Sequence, residues 1–299
     1  MEHTMMQNKY SIKDLERISG IKAHTLRIWE QRYEILNPER TDTNIRYYTN
    51  SDLKRILNIS LLNNNGYKIS NIAELNEEEL KQKVNKILNS FSTESAQVDN
   101  LMLSLMDMDE DKFESTINNS ILHFGFENTM EKVVFPFLKQ MGNMWLSGII
   151  SPAQEHYISN LVRQKLIVGI DKINVSPNSA SKKFIFFLPN EELHEMGLLY
   201  AYYLCKARGH KCVYLGQSVP IEDIEKINLS INPDFLVSIL TAQMADENMI
   251  KFFDICENKI QNAKFLLGGR LIVNKPENIP FPSDRFFSFR EFMDFKKLI

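Results

Sequence analysis

Sulfur chemistry is scarce in this chain. Its three cysteines, Cys205, Cys212 and Cys256, all fall in the last third of 299 residues, and none stands in a C-x-x-C or similar metal-ligand spacing. Ordinary buried thiols are the expected reading. Long apolar runs are missing too. No uninterrupted stretch approaches the roughly 18 residues that mark a membrane span, so no membrane partner is expected. The N-terminus, Met1-Glu2-His3-Thr4, lacks the basic-then-apolar pattern of a secretory leader. A cytoplasmic location follows. Strong net charge is also absent: the total is −3, divided into +2 over residues 1–76 and −5 over the rest. A mildly positive head permits nucleic-acid contact there. What remains, 43% hydrophobic and 24% charged, describes ordinary globular protein of two or three domains.

The head reads as short helices. Ser11-Ile12-Lys13-Asp14 is a capping box opening a helix with Ile12, Leu15 and Ile18 on one face. Gly20 suits a tight turn, and a second helix runs from about Ala23 to Tyr33, with Leu26, Trp29 and Tyr33 on a common face. Two short helices around a glycine turn are a helix-turn-helix signature. Lys22, His24, Thr25 and Arg27 lie near the start of the second helix, the part of a recognition helix that meets bases and phosphates. Arg40 to Thr49 reads as a polar hairpin, a third helix follows to about Leu62, Asn63 to Tyr67 form a turn, and a short fourth helix spans about Ile69 to Leu75.

Together with Arg46-Tyr47-Tyr48 in the hairpin and Gly66-Tyr67-Lys68-Ile69 at the turn, this order resembles the winged-helix domain of the MerR regulators over residues 9–75. The resemblance implies that Arg27, Arg46 and Tyr48 contact the DNA backbone, that Lys22, His24 and Thr25 meet bases or phosphates, and that Tyr47 joins them in the wing. Many metal sensors of that family bind their effector through cysteines. With no cysteine before Cys205, thiolate sensing in the head is excluded, and the effector must be sought further along.

Asn76 to Asn89 is a polar helix, and Ser90 to Gln97 reads as a linker. Four amphipathic helices follow, at about 98–108, 110–123, 126–146 and 152–174, suggesting a four-helix bundle. Gly148 suits a left-handed helix cap. Ser151-Pro152-Ala153-Gln154 combines an N-cap, a proline at the first helical position and a capping box. Glu155 and His156 therefore sit in the first turns of the last helix. After the linker Asn174 to Lys183, strand and helix alternate, with strands at about 183–188, 211–215, 235–240, 263–267 and 285–289 and helices at about 195–208, 220–229 and 246–259. That alternation argues a parallel, doubly wound sheet.

Glu192-Leu193-His194-Glu195-Met196-Gly197 lies between the first of those strands and its helix, at the carboxyl end where open α/β sheets bind ligands. Imidazole is a good ligand for borderline-soft metals. Ser238-Ile239-Leu240 and Gly268-Gly269 lie near the ends of two later strands. This three-part pattern resembles the cobalamin-binding domain of methionine synthase and related proteins. There the histidine replaces the cofactor's own benzimidazole on cobalt, and the displaced tail threads past the serine and the glycine pair. The resemblance implies His194 as cobalt ligand, with Glu192, Gly197, Ser238, Leu240, Gly268 and Gly269 lining the cofactor. The family most often has Asp where this chain has Glu192, and either carboxylate can orient the imidazole and raise its basicity.

Trp145, followed after nine residues by Glu155-His156, resembles the motif of adenosylcobalamin-dependent light-sensing regulators of the CarH type. There the tryptophan covers the upper face of the cofactor and the Glu-His pair lies around the adenosyl group. Light-responsive members can carry a histidine directly after the tryptophan. Leu146 stands there in this chain, so a second histidine ligand would come from elsewhere, such as His123 or His156.

The expected fold is multidomain α and α/β: a winged helix-turn-helix over 1–76, a connecting helix and linker over 77–97, a four-helix bundle over 98–175, a linker over 176–182, and a Rossmann-like, flavodoxin-like parallel sheet over 183–299. The expected function is a non-enzymatic transcriptional regulator. Its ligand would be cobalamin, in the adenosyl form first and the methyl form second. It would bind double-stranded promoter DNA and form a homo-oligomer, dimer or tetramer, under cofactor control, with light a candidate signal. Two other readings share these features: a cobalamin-dependent methyl-carrier or mutase subunit, and a regulator whose sensor has lost the cofactor and serves as an oligomerisation or docking surface.

Overall fold

The structure, a computed structural model, describes residues 9–41, 43–64, 66–89, 93–242, 245–275 and 281–299. Met1 to Thr4, Asn65 of the expected turn and residues 90–92 of the expected linker lie outside them. The chain divides into two compact units, Met1–Asn160 and Leu161–Ile299. Among the described residues no helix is long and apolar enough to cross a membrane.

The first unit begins with α1 (Ile12–Ser19) and α2 (Ala23–Tyr33). The Ser11–Asp14 capping box forms reciprocally, and Gly20 closes α1 in the left-handed region at φ +73. The wing is a two-stranded antiparallel ribbon, β1 (Glu39–Arg40) and β2 (Arg46–Tyr47). Three more helices follow: α3 (Asn50–Asn64), α4 (Ile69–Ala73) and α5 (Glu77–Asn89). Thr49 with Asp52, and Asn76 with Glu79, cap α3 and α5 by the same two-way exchange of hydrogen bonds. Leu15, Leu26, Leu53, Ile56, Leu57 and Ile72 are buried within the head.

The helical region comprises α6 (Glu94–Asp107), α7 (Glu110–Thr129), a single π-helical turn (Met130–Val134), α8 (Phe135–Leu146) and α9 (Pro152–Asp171). Gly125, at φ 77 and ψ 164, kinks α7 between the second and third helices expected from sequence. The structure departs from the expected linker at its end. Helix α6 starts at Glu94, and Ala96 and Gln97 are already buried. Small polar residues such as Thr93 and Ser95 serve helix starts as readily as linkers, so composition alone misplaces this boundary. The unit division at Asn160 falls inside α9.

The second unit holds a five-stranded parallel sheet in the order β4-β3-β5-β6-β7. Its strands are β3 (Lys183–Pro189), β4 (Lys211–Val219), β5 (Phe235–Ile239), β6 (Lys264–Gly268) and β7 (Phe286–Ser288). The connecting and terminal helices are α10 (Met196–Ala207), α11 (Ile221–Ile231), α12 (Asp246–Lys259), α13 (Arg270–Val273) and α14 (Phe292–Leu298). Phe184 to Leu188 are all buried, as expected of a strand covered on both faces. The order reverses at β3, so the carboxyl ends of β3 and β5 form the switch point at which such sheets receive ligands. Both His194 and Ser238 belong to that end. Strand β4 runs four residues past its expected end, beyond a register shift near Gly216.

Candidate functional site

The loop after β3 is built around one carboxylate. Glu192 is 3% exposed. Its Oε1 accepts from the backbone N–H of His194 (2.9 Å) and lies 2.6 Å from His194 Nδ1. Its Oε2 accepts from the N–H groups of Thr241 (2.6 Å) and Ala242 (2.7 Å), just beyond β5. Burial alone would raise the Glu192 pKa, but the bonds from His194 and from these N–H groups outweigh it and hold the carboxyl at about 2. An ionised carboxylate only accepts, so Nδ1 carries the proton and Nε2 is the basic nitrogen of the neutral ring. The imidazole side chain is 62% exposed.

A second carboxylate fastens the other flank. Glu195, 7% exposed, accepts from Arg163 Nε of α9 (2.5 Å) and from the Tyr214 hydroxyl of β4 (2.8 Å). Burial, and then the hydrogen bond to Glu195 and its charge, push the Tyr214 hydroxyl well above its ordinary pKa, so it remains a donor. The extension of β4 supports the same loop. Gln217 Nε2 donates to Leu193 O (2.6 Å), the Ser218 N–H to Glu192 O (3.3 Å), and the Glu191 N–H to Ser218 Oγ (3.2 Å). Sequence reasoning gives no role to Arg163, Glu195, Tyr214, Gln217 or Ser218, although Glu195 stands within the stretch around His194. The one legible hint is that acidic residues flank His194 on both sides.

Ser238 lies on β5 opposite Leu267 of β6. Its Oγ is buried, with no hydrogen-bond partner among the described residues. Buried hydroxyls are nearly always satisfied, so this one is suited to a ligand's polar atom. A Cβ on Gly269, at φ +94, would stand 2.3 Å from the carbonyl oxygen of Leu240. A Cβ on Gly268 would stand 2.4 Å from the Phe289 ring, and one on Gly197 would stand 3.3 Å from Ile239. The absence of side chains at these positions lets β5, β6 and α10 converge closely at the strand ends. Leu240 itself is buried. The glycines are thus filled by the protein's own packing, while the orphaned Ser238 hydroxyl and the oriented imidazole fit a cofactor that needs one nitrogen donor and one polar contact.

In the first unit, Trp145 is the last but one residue of α8, and Glu155 and His156 lie in the first turns of α9, on either side of a short connection. Gly148 takes the left-handed conformation at φ +68, and the Ser151–Gln154 capping box is formed. Glu155 Oε2 lies 2.8 Å from His156 Nδ1, and its Oε1 accepts from Ser159 Oγ (2.5 Å). Trp145, Leu146 and Leu122 are all exposed apolar side chains at 48%, 69% and 78%.

In the head, Lys22, His24, Arg27 and Arg46 are exposed, while Thr25 and Tyr47 are half-buried. Lys22 pairs with Glu16 (3.2 Å), and Arg46 with Glu30 (3.5 Å). Lys9 Nζ stands 4.4 Å above the Tyr47 ring, and the Tyr47 hydroxyl donates to Glu39. Tyr48 corrects the sequence expectation. Its ring is fully buried and its hydroxyl donates to Glu30 (2.7 Å), so it holds the wing against α2 and offers DNA no surface. Successive strand residues face opposite ways, and the bridge from Tyr48 to Tyr10 turns Tyr48 inward.

Residues 10–79 match the family described as MerR HTH family regulatory protein, and residues 97–168 match the B12 binding domain. The HTH-type transcriptional repressor CarH of Myxococcus xanthus is 26% identical over 250 residues, covering 81% of this chain and 83% of that relative. The HTH-type transcriptional repressor CarA of the same organism is 24% identical over 242 residues, covering 79% and 78%. Among solved structures, the monomethylamine corrinoid protein of Methanosarcina barkeri overlays with a TM-score of 0.53 at 16% identity, covering 69% of this chain and 98% of that one. At that identity the likeness speaks for the fold.

Proposed function

Since this chain is a MerR-type regulator that joins a helix-turn-helix head to a B12-binding body, we propose that it controls transcription in the cytoplasm through bound adenosylcobalamin, whose cobalt His194 Nε2 would hold. The observation that carries the reading is the Glu192–His194 pair beside the orphaned Ser238 hydroxyl. Glu192 fixes the imidazole tautomer and raises its basicity, as carboxylates do behind metal-bound histidines. Ser238, Leu240, Gly197, Gly268 and Gly269 receive the nucleotide tail. Trp145, Glu155 and His156 of the first unit would be further candidates for contact with the cofactor. When bound, adenosylcobalamin supplies a cobalt–carbon bond that light can break. Lys22, His24, Thr25, Arg27 and Arg46 engage promoter DNA, with Tyr47 bracing the wing.

Cofactor loading favours a homo-oligomer, and linking heads raises avidity for DNA by on the order of 10² or more without new contacts. Assembly is therefore a sufficient switch. The test is His194→Ala in the full chain. It should fail to retain adenosylcobalamin through desalting and should bind operator DNA more weakly than the dark-loaded parent. Retention equal to the parent's contradicts the ligand assignment.

A further inference from the structure

Resting on the reading of His194 as cobalt ligand, we propose that Arg163, Glu195 and Tyr214 are positioning residues for that ligand. A buried carboxylate one residue after His194, gripped from two other elements, fixes where the imidazole stands.

The hinge that needs fixing is visible in the backbone. Glu195 is the residue before α10, at φ −85 and ψ −9. Its N–H donates to Leu193 O (2.9 Å), and its carbonyl accepts the first bond of the helix, from Leu199 N (2.8 Å). Rotation at this residue would swing His194 relative to α10. The side chain opposes that rotation. Arg163 Nε and the Tyr214 hydroxyl take one carboxylate oxygen each, so Glu195 is tied to α9 and to β4 at once. Glu192 ties the other side of the loop to the residues after β5. His194 is thus held between two buried carboxylates, each anchored to a different part of the fold. Taking a carboxylate out of water is costly and is tolerated only with such complete partnering. Arginine suits the task because its guanidinium stays charged and its donor directions are fixed.

The experiment uses the full chain with Arg163→Lys, Glu195→Gln and Tyr214→Phe. Arg163→Lys keeps the charge and loses the fork, so it guards against simple unfolding. Each protein is loaded with cobalamin and reduced to the Co(II) state. Its electron paramagnetic resonance spectrum is then recorded with unlabelled and with ¹⁵N-labelled histidine. The axial-nitrogen splitting changes on labelling only where the nitrogen is the protein's. Melting temperature is followed alongside.

The expected result is retained cofactor with histidine ligation weakened about tenfold or more, as when groups orienting a metal-bound histidine are removed. The double variant Arg163→Lys/Glu195→Gln should be no worse than either single one, because the groups act as a unit. Variants with the parent's label-sensitive splitting overturn the proposal and leave His194 as the ligand. Loss of ligation that only tracks lost thermal stability overturns it equally. A parent without label-sensitive splitting overturns the His194 reading itself, and the proposal with it.

Discussion

Glu192 holds two loops with one carboxylate, and its chemistry sets the first expectation. Four donors converge on it. Replacing it with glutamine trades an acceptor-only group for one that must turn a donor toward at least one N–H. Glu192→Gln should lower cobalamin affinity by about 10- to 100-fold, the usual effect of removing the partner of a metal-bound histidine. A spectral titration of the desalted protein reads this. The pH dependence has a definite sign. The carboxyl is lowered to about 2 from an ordinary 4.5, so its contribution to stability is complete above about 4.5 and is lost as pH falls toward 2. Gly269 gives a second expectation at this scale. Its left-handed φ and the 2.3 Å approach of Leu240 O leave no room for a methyl group. Gly269→Ala should destabilise the second unit by roughly 2 kcal/mol or more, as strained left-handed positions do, measured by denaturant unfolding.

Single residues were legible where one short segment carries the chemistry. Glu192, His194 and Ser238 stand in strand-end segments whose spacing is visible in the chain. Arg163 and Tyr214 were not, because α9 and β4 are brought to Glu195 only by folding. Tyr48 shows the opposite limit. The wing triplet is plain in sequence, but which of its two tyrosines turns inward depends on pairing with Tyr10, thirty-eight residues earlier.

At the scale of elements, helix α6 carries a half-buried acid where it packs on α3. The Asn64 side chain of α3 neighbours Asp99, whose Oδ2 is buried with no hydrogen-bond partner among the described residues. Burial pushes its carboxyl up to about 7, against the opposing effect of the Asn64 side chain. The folded state therefore holds the proton more tightly than the unfolded one. Stability from this site is complete below about 4 and declines as pH rises through about 7. Asp99→Asn should be more stable than the parent at alkaline pH, by on the order of 1–3 kcal/mol, and the two should converge as pH falls. Melting temperatures of both proteins across that window test it.

Elements were the most legible scale. The strands of the second unit are apolar runs punctuated by glycine and proline, and their order in the chain prescribes the parallel sheet. Capping chemistry located the starts of α1 and α9 to the residue. The start of α6 was misplaced because its polar first turn resembles a linker. The π-helical turn at Met130–Val134 has no sequence signature comparable to a cap or a proline.

For the whole molecule, the reading joins a DNA-binding head to a cofactor-dependent assembly switch. On the proposed function the head engages DNA through its exposed cationic side chains, so operator affinity should fall steeply with salt. Arg27→Ala should weaken binding similarly across DNA sequences, as loss of a backbone contact does. The division of charge, positive over the first 76 residues and negative beyond, fits that polarity.

The most direct measurement is the absorption spectrum and hydrodynamic size of the full chain, mixed with adenosylcobalamin in darkness, desalted, and recorded again after green light. The expected result is one retained cofactor per chain and a homo-oligomer in the dark, with a changed spectrum and a smaller species after illumination. A protein that emerges from desalting without cofactor would contradict the central claim, leaving the DNA-binding head without its proposed effector.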